Sequence, residues 1–191
     1  MVRQLTNLSR LRGNGFEPVP AELVVDADIK LRRIGPENAA DMDRLLVDNR
    51  SYLEPWFNPA VDDSLESAVS REERTRHLVQ AGWMAPYGIV YKGGLNGEVE
   101  LYRVDSLTAK MGYWRVNDGR REGVMARSAQ KLVDFGFEAW GLRNILFDIS
   151  DQNQPSMAVA QSIGASITES YFDRAGDNGS RLRINRWAIS R

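Results

Sequence analysis

A basic, glycine-bearing loop near the middle of the chain leads directly into a long amphipathic segment. Arg120 and Arg121 precede Gly123, after which apolar residues recur at three- and four-residue steps, a spacing typical of a helix. The recurring residues are Met125, Ala129, Leu132, Val133, Gly136, Phe137 and Trp140. The first amides of a helix have no partner within it, and together with the helix dipole they favour an anion such as a phosphate. The loop is therefore predicted either to bind an anion or to be a solvated connection to a core helix.

The set of reactive residues excludes several kinds of chemistry. The chain contains no cysteine, which excludes disulfides, thiolate metal sites and a cysteine nucleophile. The only histidine, His77, lies in a charged run typical of a helix surface, so neither a Ser–His pair nor a multi-histidine metal site is expected. We therefore expect a protein without a metal site.

The length and composition are those of one globular domain. The chain has 191 residues, a net charge of −1 and 27% charged residues, which is the usual size of one domain and indicates no nucleic-acid partner. It lacks the run of about 18 apolar residues that a membrane helix requires, and its first residues lack the apolar core of a secretory signal. We therefore expect no membrane partner and a cytoplasmic location, which the absence of cysteine also suits.

Turn residues and apolar spacing predict the elements that position the central loop. Residues 1–28 are expected to form an irregular N-terminal arm with a short strand near Leu23 to Val25, and residues 29–191 to form a single domain. The arm packs either on its own domain or on a partner subunit, and the second arrangement is a homodimer. Strands are expected at Ile29 to Ile34, Tyr87 to Tyr91, Gly97 to Val104, Thr108 to Val116, Ile145 to Ser150, Ile167 to Phe172 and Leu182 to Ile189. Helices are expected at Pro36 to Asn49, Ser64 to Ala81, Gly123 to Gly141 and Pro155 to Gly164, and hairpin turns at Gly93 to Gly97 and at Asp105 and Ser106.

Several short motifs follow one another along this framework. They are Ser51-Tyr-Leu-Glu-Pro-Trp-Phe-Asn-Pro59, Met111-Gly112-Tyr113-Trp114, Arg120-Arg-Glu-Gly123-Val-Met-Ala126 and Asn153-Gln-Pro-Ser156 with the residues to Ala165. In this order and spacing they resemble the GNAT acetyltransferase superfamily, and in particular its RimJ/RimL-like branch. The resemblance implies an α/β (α+β) fold, with a mixed, mostly antiparallel sheet of about seven strands and helices on both faces. It also implies a V-shaped cleft between the strands Thr108 to Val116 and Ile145 to Ser150, which holds the pantetheine of acetyl-CoA.

The resemblance further implies which residues bind acetyl-CoA. They are Trp114, Val116, Arg120, Arg121, Gly123, Val124, Met125, Ala126, Asn153 and Ser156. The loop departs from the family's pyrophosphate pattern. If Gly123 is the second glycine of that pattern, Arg121 replaces the first, where it either clashes with the pyrophosphate or clamps it. If Gly123 is the first glycine, Met125 takes the second position, and this register fits the downstream helix less well.

Acetyl transfer to an amine requires a proton acceptor, donors for the developing oxyanion and a proton donor for the leaving thiolate. No covalent enzyme intermediate is needed, so direct transfer in a ternary complex is expected, with amides of Trp114 to Val116 as oxyanion donors. The candidate bases are Glu98 and Glu100, which share one strand face, and Glu169, because the RimL-like branch has a glutamate in that vicinity; a water relay is an alternative. Each carboxylate is alternatively an ordinary surface group. Ser156 is the candidate acid, or alternatively a helix cap.

The acceptor side and the overall function each have two interpretations. The residues expected to line the acceptor site are Tyr52, Trp56, Phe57 and Tyr113. The aromatic residues alternatively pack between two helices. The first function is an N-acetyltransferase acting on a primary amine of a protein N-terminus or of a small molecule such as an antibiotic. The second is a GNAT-fold binding protein that has lost catalysis, because Lys110, Arg121 and Ala160 replace residues common in the family.

Overall fold

The computed structural model describes residues 18–56, 75–118, 122–175 and 180–191. A single sheet of eight strands forms the centre of this described part, in the order β1-β2-β3-β4-β5-β6-β8-β7. The strands are β1 (Glu22–Val24), β2 (Ile29–Arg33), β3 (Met84–Tyr91), β4 (Gly94–Arg103), β5 (Thr108–Arg115), β6 (Asn144–Ser150), β7 (Ser166–Ala175) and β8 (Ser180–Ser190). Neighbouring strands are antiparallel except β5 and β6, which are parallel. The mixed, mostly antiparallel fold is thus confirmed, with eight strands instead of about seven because the short strand of the arm joins the sheet.

Helices pack on both faces of this sheet. They are α1 (Ala39–Asp48), α2 (Arg50–Leu53), α3 (Val124–Glu138) and α4 (Gln154–Ser162). Residues 75–80, the described end of the predicted helix Ser64 to Ala81, are also helical. Met111 of β5 lies in the main core with α3, whereas Trp114 packs with α1 and α2 in a second apolar cluster. Side chains alternate between the faces of a strand, so these two helix groups lie on opposite sides of the sheet.

The hairpin between β3 and β4 differs from the predicted turn at Gly93 to Gly97. The turn consists of Lys92 and Gly93, with φ angles of 49° and 85°, as a tight two-residue hairpin requires. Gly97 lies instead within β4, at a bulge where the register against β3 shifts. A Cβ atom there would lie 2.2 Å from the carbonyl oxygen of Trp114, so only glycine permits this approach of the two backbones.

The cleft predicted from the family resemblance is present. The strands β5 and β6 pair only from Thr108 to Lys110, against Asn144 to Leu146. Beyond these residues β6 continues to pair with β8 along its whole length, while β5 stays paired with β4. The C-terminal halves of β5 and β6 therefore separate, and a V-shaped notch opens between them.

The described part of the N-terminal arm packs on its own domain. β1 pairs with β2 at the edge of the sheet, the Tyr87 hydroxyl donates to the Pro20 carbonyl at 3.0 Å, and Arg33 Nη1 donates to the Val19 carbonyl at 2.7 Å. This is the first of the two arrangements considered for the arm. None of the helices in the described part of the chain has the length and apolar character needed to span a membrane.

Candidate active site

A cavity of about 830 Å³ lies beside the C-terminal end of β5, within the usual size range of ligand sites. The residues lining it come from α2, the end of β5 and the N-terminal turns of α3 and α4. They are Tyr52, Leu53, Trp56, Tyr113, Trp114, Arg115, Val116, Asn117, Asp118, Gly123, Val124, Met125, Ala126, Asn153, Gln154, Pro155, Ser156, Ala158, Val159 and Ser162. The structure thus gathers at one cavity the described cofactor residues named from the sequence.

The N-terminus of α3 presents features that suit an anion. Gly123 is its N-cap residue, with a left-handed φ of 66°, no side chain caps this end, and the first turn contains no acidic residue. The amides of Val124, Met125 and Ala126 therefore lack partners within the helix, and these residues line the cavity. A Cβ atom on Gly123 would meet nothing within 4 Å, so the backbone is open to close approach by a ligand. The residues present here fit a phosphate group.

A small polar cluster closes the cavity between β4 and the loop after β5. Asp118, which takes the Gln or Arg position of the family's loop if Gly123 is its second glycine, forms an ion pair with Arg115. Asn96 binds both partners, because its Oδ1 accepts from Arg115 Nε at 2.7 Å and its Nδ2 donates to Asp118 at 3.4 Å. The charge of Asp118 is therefore balanced within the protein, which makes this carboxylate compatible with a phosphate nearby.

The N-terminus of α4 is held by a side-chain cap. Asn153 Oδ1 accepts a hydrogen bond from the Ser156 amide at 3.1 Å, with Pro155 in the first turn. The alternative in which Ser156 is the cap is therefore wrong, because Asn153 has that role. The Tyr113 hydroxyl donates to the Ser156 carbonyl at 2.9 Å, and burial raises the pKa of Tyr113 to about 12. This bond connects β5 to the first turn of α4 across the notch.

A second cavity, of about 330 Å³, adjoins the first. Its lining residues come mainly from β4, β5 and β6. They are Leu46, Trp56, Glu98, Glu100, Met111, Gly112, Tyr113, Trp114, Phe147, Asp148, Ile149, Ser150, Asn153 and Ser156. Both cavities are lined by Trp56, Tyr113, Trp114, Asn153 and Ser156. These shared residues form the junction between two chambers. The larger chamber contains the N-terminus of α3, and the smaller chamber contains the carboxylates of β4.

Two carboxylates lie on one wall of the smaller chamber. Glu98 Oε2 accepts a hydrogen bond from the indole Nε1 of Trp114 at 3.0 Å. Glu100 lies against Gly112, where a Cβ atom would come within 3.0 Å of its Oε1. Burial, followed by the charge of Glu98, raises the pKa of Glu100 to about 8. A carboxyl group with this pKa exchanges protons near neutral pH, as a general base must.

Residues 28–166 match the sequence profile of the family described as acetyltransferase (GNAT) domain, which is most of the 191-residue chain. The chain belongs to this family. Its membership of this family identifies it as an acyltransferase. One relative is the Bacillus subtilis (strain 168) protein YdaF, which is provisionally named as a ribosomal N-acetyltransferase. It is 26% identical to this chain over 146 residues, which cover 73% of this chain and 79% of YdaF.

Two solved structures show the same GNAT fold. The ribosomal L7/L12 alpha-N-protein acetyltransferase RimL, in complex with coenzyme A, has a TM-score of 0.81 at 21% identity, covering 91% of this chain and 98% of RimL. The microcin C7 self-immunity acetyltransferase MccE, in complex with acetyl-CoA and AMP, has a TM-score of 0.80 at 20% identity, covering 90% of this chain and 97% of the MccE chain. At these identities the similarity establishes the fold.

Some of the predicted GNAT site residues lie away from the chambers. Glu169, on β7, has a side chain that is 56% exposed and is paired with Arg186 at 3.0 Å, and it does not occur among the described residues that line either cavity. Phe57, Arg120 and Arg121 lie outside the described residues. The geometry therefore favours Glu100 over Glu169 as the base.

Lys110, which replaces a glutamate common in the GNAT family, has a partner of its own. Its Nζ lies 2.5 Å from Asp148 Oδ2, and Arg186 Nε lies 2.7 Å from Asp148 Oδ1. These two cations hold the pKa of Asp148 below its ordinary value, against the effect of burial. Asp148 therefore stays ionised in the wall of the smaller chamber, with its charge balanced by these cations, and does not compete with Glu100 for a proton.

The amides expected to bind the oxyanion divide into two sets. The Val116 amide donates to the Asn96 carbonyl on β4 at 3.0 Å, so it does not face the notch. Backbone groups alternate in direction along a strand; the Trp114 amide therefore also faces β4, while those of Tyr113 and Arg115 face the side from which β6 has separated. The prediction is therefore wrong for the amides of Trp114 and Val116, whereas those of Tyr113 and Arg115 face the notch and are candidate donors.

Sequence reasoning missed the cluster of Asn96, Arg115 and Asp118 and the bond between Glu98 and Trp114. Asn96 and Glu98 are distant in sequence from Arg115, Asp118 and Trp114, and they meet them only because β4 and β5 pair, with Gly97 opposite Arg115 and Glu98 opposite Trp114. The signal that locates such partners is the strand register. A prediction of the exact length of the β4–β5 loop would have given this register.

Proposed function

We propose that the chain is an acetyl-CoA-dependent N-acetyltransferase that acetylates the α-amine of a protein N-terminus, with ribosomal proteins as the acceptor class. The acetyl group passes directly to the amine in a ternary complex. The observation that carries this proposal is the junction of two chambers at Trp114 and Ser156, one with an anion-binding helix end and the other with Glu100. RimL and MccE, which share the fold, are named as complexes with coenzyme A and acetyl-CoA, and RimL and YdaF are named for ribosomal acceptors.

The larger chamber is the proposed cofactor side. The amides that follow Gly123 would hold the pyrophosphate, and the edge of β5 that faces the notch offers backbone partners for the pantetheine amides, as in strand addition. Bound acetyl-CoA supplies an acetyl group activated as a thioester. The N-terminus of α4, with Asn153 and Ser156, would then lie beside the reacting end of the cofactor.

The pKa of Glu100 favours an α-amine over a lysine side chain. An α-ammonium group has an ordinary pKa of about 7.7–8.0, close to the pKa of about 8 of Glu100, so proton transfer between them costs little free energy. The ammonium group of lysine has an ordinary pKa of about 10.4, so a base whose pKa lies near neutral removes its proton less readily. The smaller chamber is also lined by Trp56 and Phe147, whose aromatic faces suit a cationic group.

Three groups of this chain would act on the protons and charges of the reaction. Glu100 removes a proton from the acceptor ammonium, which frees the nitrogen lone pair to form the new N–C bond. The amide of Tyr113 or Arg115 donates a hydrogen bond to the carbonyl oxygen as negative charge develops on it. Ser156 lines both chambers, and its hydroxyl hydrogen-bonds the sulfur as the C–S bond breaks. The sulfur retains the bonding electrons and takes up the second proton, which the nitrogen loses as the amide forms.

An acceptor panel tests the proposal. Thiol release from acetyl-CoA is measured with peptides that carry a free α-amine, with the same peptides blocked at the N-terminus but containing lysine, and with small amines including antibiotics. We expect turnover with the free α-amine peptides. Equal or faster turnover with the blocked peptides or the small amines contradicts the proposed acceptor, and cofactor binding without turnover on any amine indicates a binding protein that has lost catalysis.

The same assay decides between Glu100 and Glu169 as the general base. Glu100→Gln is expected to lower kcat by roughly 10²–10⁴-fold, because the amide cannot accept the proton. Glu169→Gln makes the same chemical change on β7, outside the described lining of both chambers, and we expect it to leave most of the activity. A larger loss in the Glu169 variant than in the Glu100 variant would reverse the assignment.

A further inference from the structure

Glu98 is one of the two carboxylates on β4 that line the smaller chamber, and it also contacts Trp114, which forms the wall between the two chambers. Its Oε2 accepts the indole N–H of Trp114 at 3.0 Å, and Trp114 lines both chambers. The ring of Trp114 is buried against Leu46 and Leu53 of α1 and α2. An indole has one donor and no other polar group, so this bond sets the ring's orientation within an otherwise apolar contact.

Glu98 is also the like charge that acts on Glu100. The two residues are separated by one position on β4 and share its face, and both line the smaller chamber. We propose that Glu98 is a positioning residue of the reaction, which holds Trp114 in the wall between the chambers and keeps a negative charge beside Glu100. This inference rests on the proposed function, in which Glu100 is the base.

Other charged and titratable groups near Glu100 do not replace Glu98 in this role. These groups are Tyr102 on its own strand and, on β5, β6 and β8, Lys110, Tyr113, Asp148 and Arg186. Lys110 and Arg186 both bind Asp148, and Arg186 also pairs with Glu169, so these four charges compensate one another locally. α1 and α4 contribute to this chamber only the uncharged Leu46, Asn153 and Ser156 among the residues that the structure describes. Of these neighbours, Glu98 is the one whose charge raises the pKa of Glu100.

Two substitutions separate the two effects of Glu98. Glu98→Gln keeps an oxygen that accepts the indole N–H but removes the charge. Trp114→Phe keeps the charge and an aromatic ring but removes the N–H. Glu22→Gln is a matched control, because this carboxylate is on β1, where it pairs with Lys30 at 3.1 Å, far along the sheet from β4.

The first measurement needs no substrate. The chain has five tryptophans, so the indole N–H of Trp114 is assigned in an NMR spectrum as the resonance lost in Trp114→Phe. We expect it to titrate with a midpoint near pH 8 in the parent protein, to lose this titration in Glu100→Gln, and to titrate about one pH unit or more lower in Glu98→Gln. A midpoint that is unchanged in Glu98→Gln, or equally shifted in Glu22→Gln, overturns the inference.

The second measurement is the pH dependence of kcat. The acidic limb should move to lower pH in Glu98→Gln and stay in place in Trp114→Phe, in which KM for the acceptor should rise because the chamber wall is no longer held. If Glu98→Gln does not fold, Glu98→Asp keeps the charge while its shorter side chain withdraws from the indole; a lowered midpoint in that variant contradicts the proposal. A protein that shows the NMR shift but acetylates no amine refutes the proposed function alone.

Discussion

Replacing Glu100 by glutamine should make the protein more stable as well as inactive. Glu100 lies on β4 against Gly112 and is partly buried in the smaller chamber. Loss of water around the carboxylate, together with the charge of Glu98, disfavours its ionised form. Glutamine has nearly the same shape but carries no charge, so this cost disappears in the variant.

The size of the effect follows from the shift in the pKa of Glu100. The pKa rises from an ordinary value of 4.5 to about 8 on folding. Because the folded state keeps the proton more tightly, the contribution of Glu100 to folding stability is fully present below pH 4.5 and is lost as the pH rises toward 8. A difference of about 3.5 units, at about 1.4 kcal/mol per unit, sets an upper bound of about 5 kcal/mol. A buried amide retains some desolvation cost, so we expect a net gain of about 2–4 kcal/mol at pH 9.

Urea unfolding at pH 4, 7 and 9 measures this difference. The free energies of unfolding of the parent and Glu100→Gln should nearly coincide at pH 4 and diverge steadily up to pH 9, with the variant more stable. Glu22→Gln, the same change on the exposed edge of the sheet, should show no such divergence. A constant difference at all three pH values, or a less stable variant at pH 9, would refute the reasoning that Glu100 is a desolvated carboxyl with a raised pKa.

Three further substitutions test the remaining parts of the site. Gly123→Val should weaken CoA binding in calorimetry, because a side chain would obstruct the helix end, and the left-handed φ of 66° adds about 1–2 kcal/mol of strain; unchanged affinity places the phosphates elsewhere. Trp56→Ala should raise the KM for the acceptor while CoA affinity stays nearly the same; a loss of thermal stability with an unchanged KM instead indicates a packing role. Ser156→Ala should lower kcat by roughly 10²–10⁴-fold with unfolding unaffected, since Asn153 provides the cap. Turnover at the parental rate would remove Ser156 from the mechanism.

Local sequence was sufficient to predict the elements that are proposed to bind the anion. The spacing of apolar residues predicted α3 with Gly123 at its start and Gly141 after its end, and the structure has Gly123 as N-cap and Gly141 with a φ of 63°. Helix periodicity and the left-handed conformation of a terminal glycine are properties of a few neighbouring residues. Such features can be recognised without knowledge of the rest of the fold. The place of Asn153 and Ser156 at the start of α4 was predictable for the same reason, although which of the two caps the helix was not.

The pairing register of β4 with β5 depends on the length of the loop between them, which the sequence did not determine. The predicted strand ends, Val104 and Thr108, match the observed loop, in which Val104 donates to Thr108 across three residues. The predicted turn named only Asp105 and Ser106, however, and a two-residue turn would imply a different pairing of β4 with β5. The Asp105 carboxylate stabilises this loop by accepting from the amides of Leu107 and Thr108. A change of one residue in register changes every cross-strand partner and the face it shares, so the contacts of Glu98 with Trp114 followed only from the folded structure.

The sequence by itself determined the family, the course of the helices and most strands, and the presence of an acidic pair on β4. Only the tertiary structure decided which carboxylate has the properties of a base. Glu100 and Glu169 are the same residue type, yet one is partly buried beside a like charge, whereas the other is exposed and paired with Arg186. The pKa of a carboxyl group depends on the water and charges around it, and these are set by elements far apart in the chain.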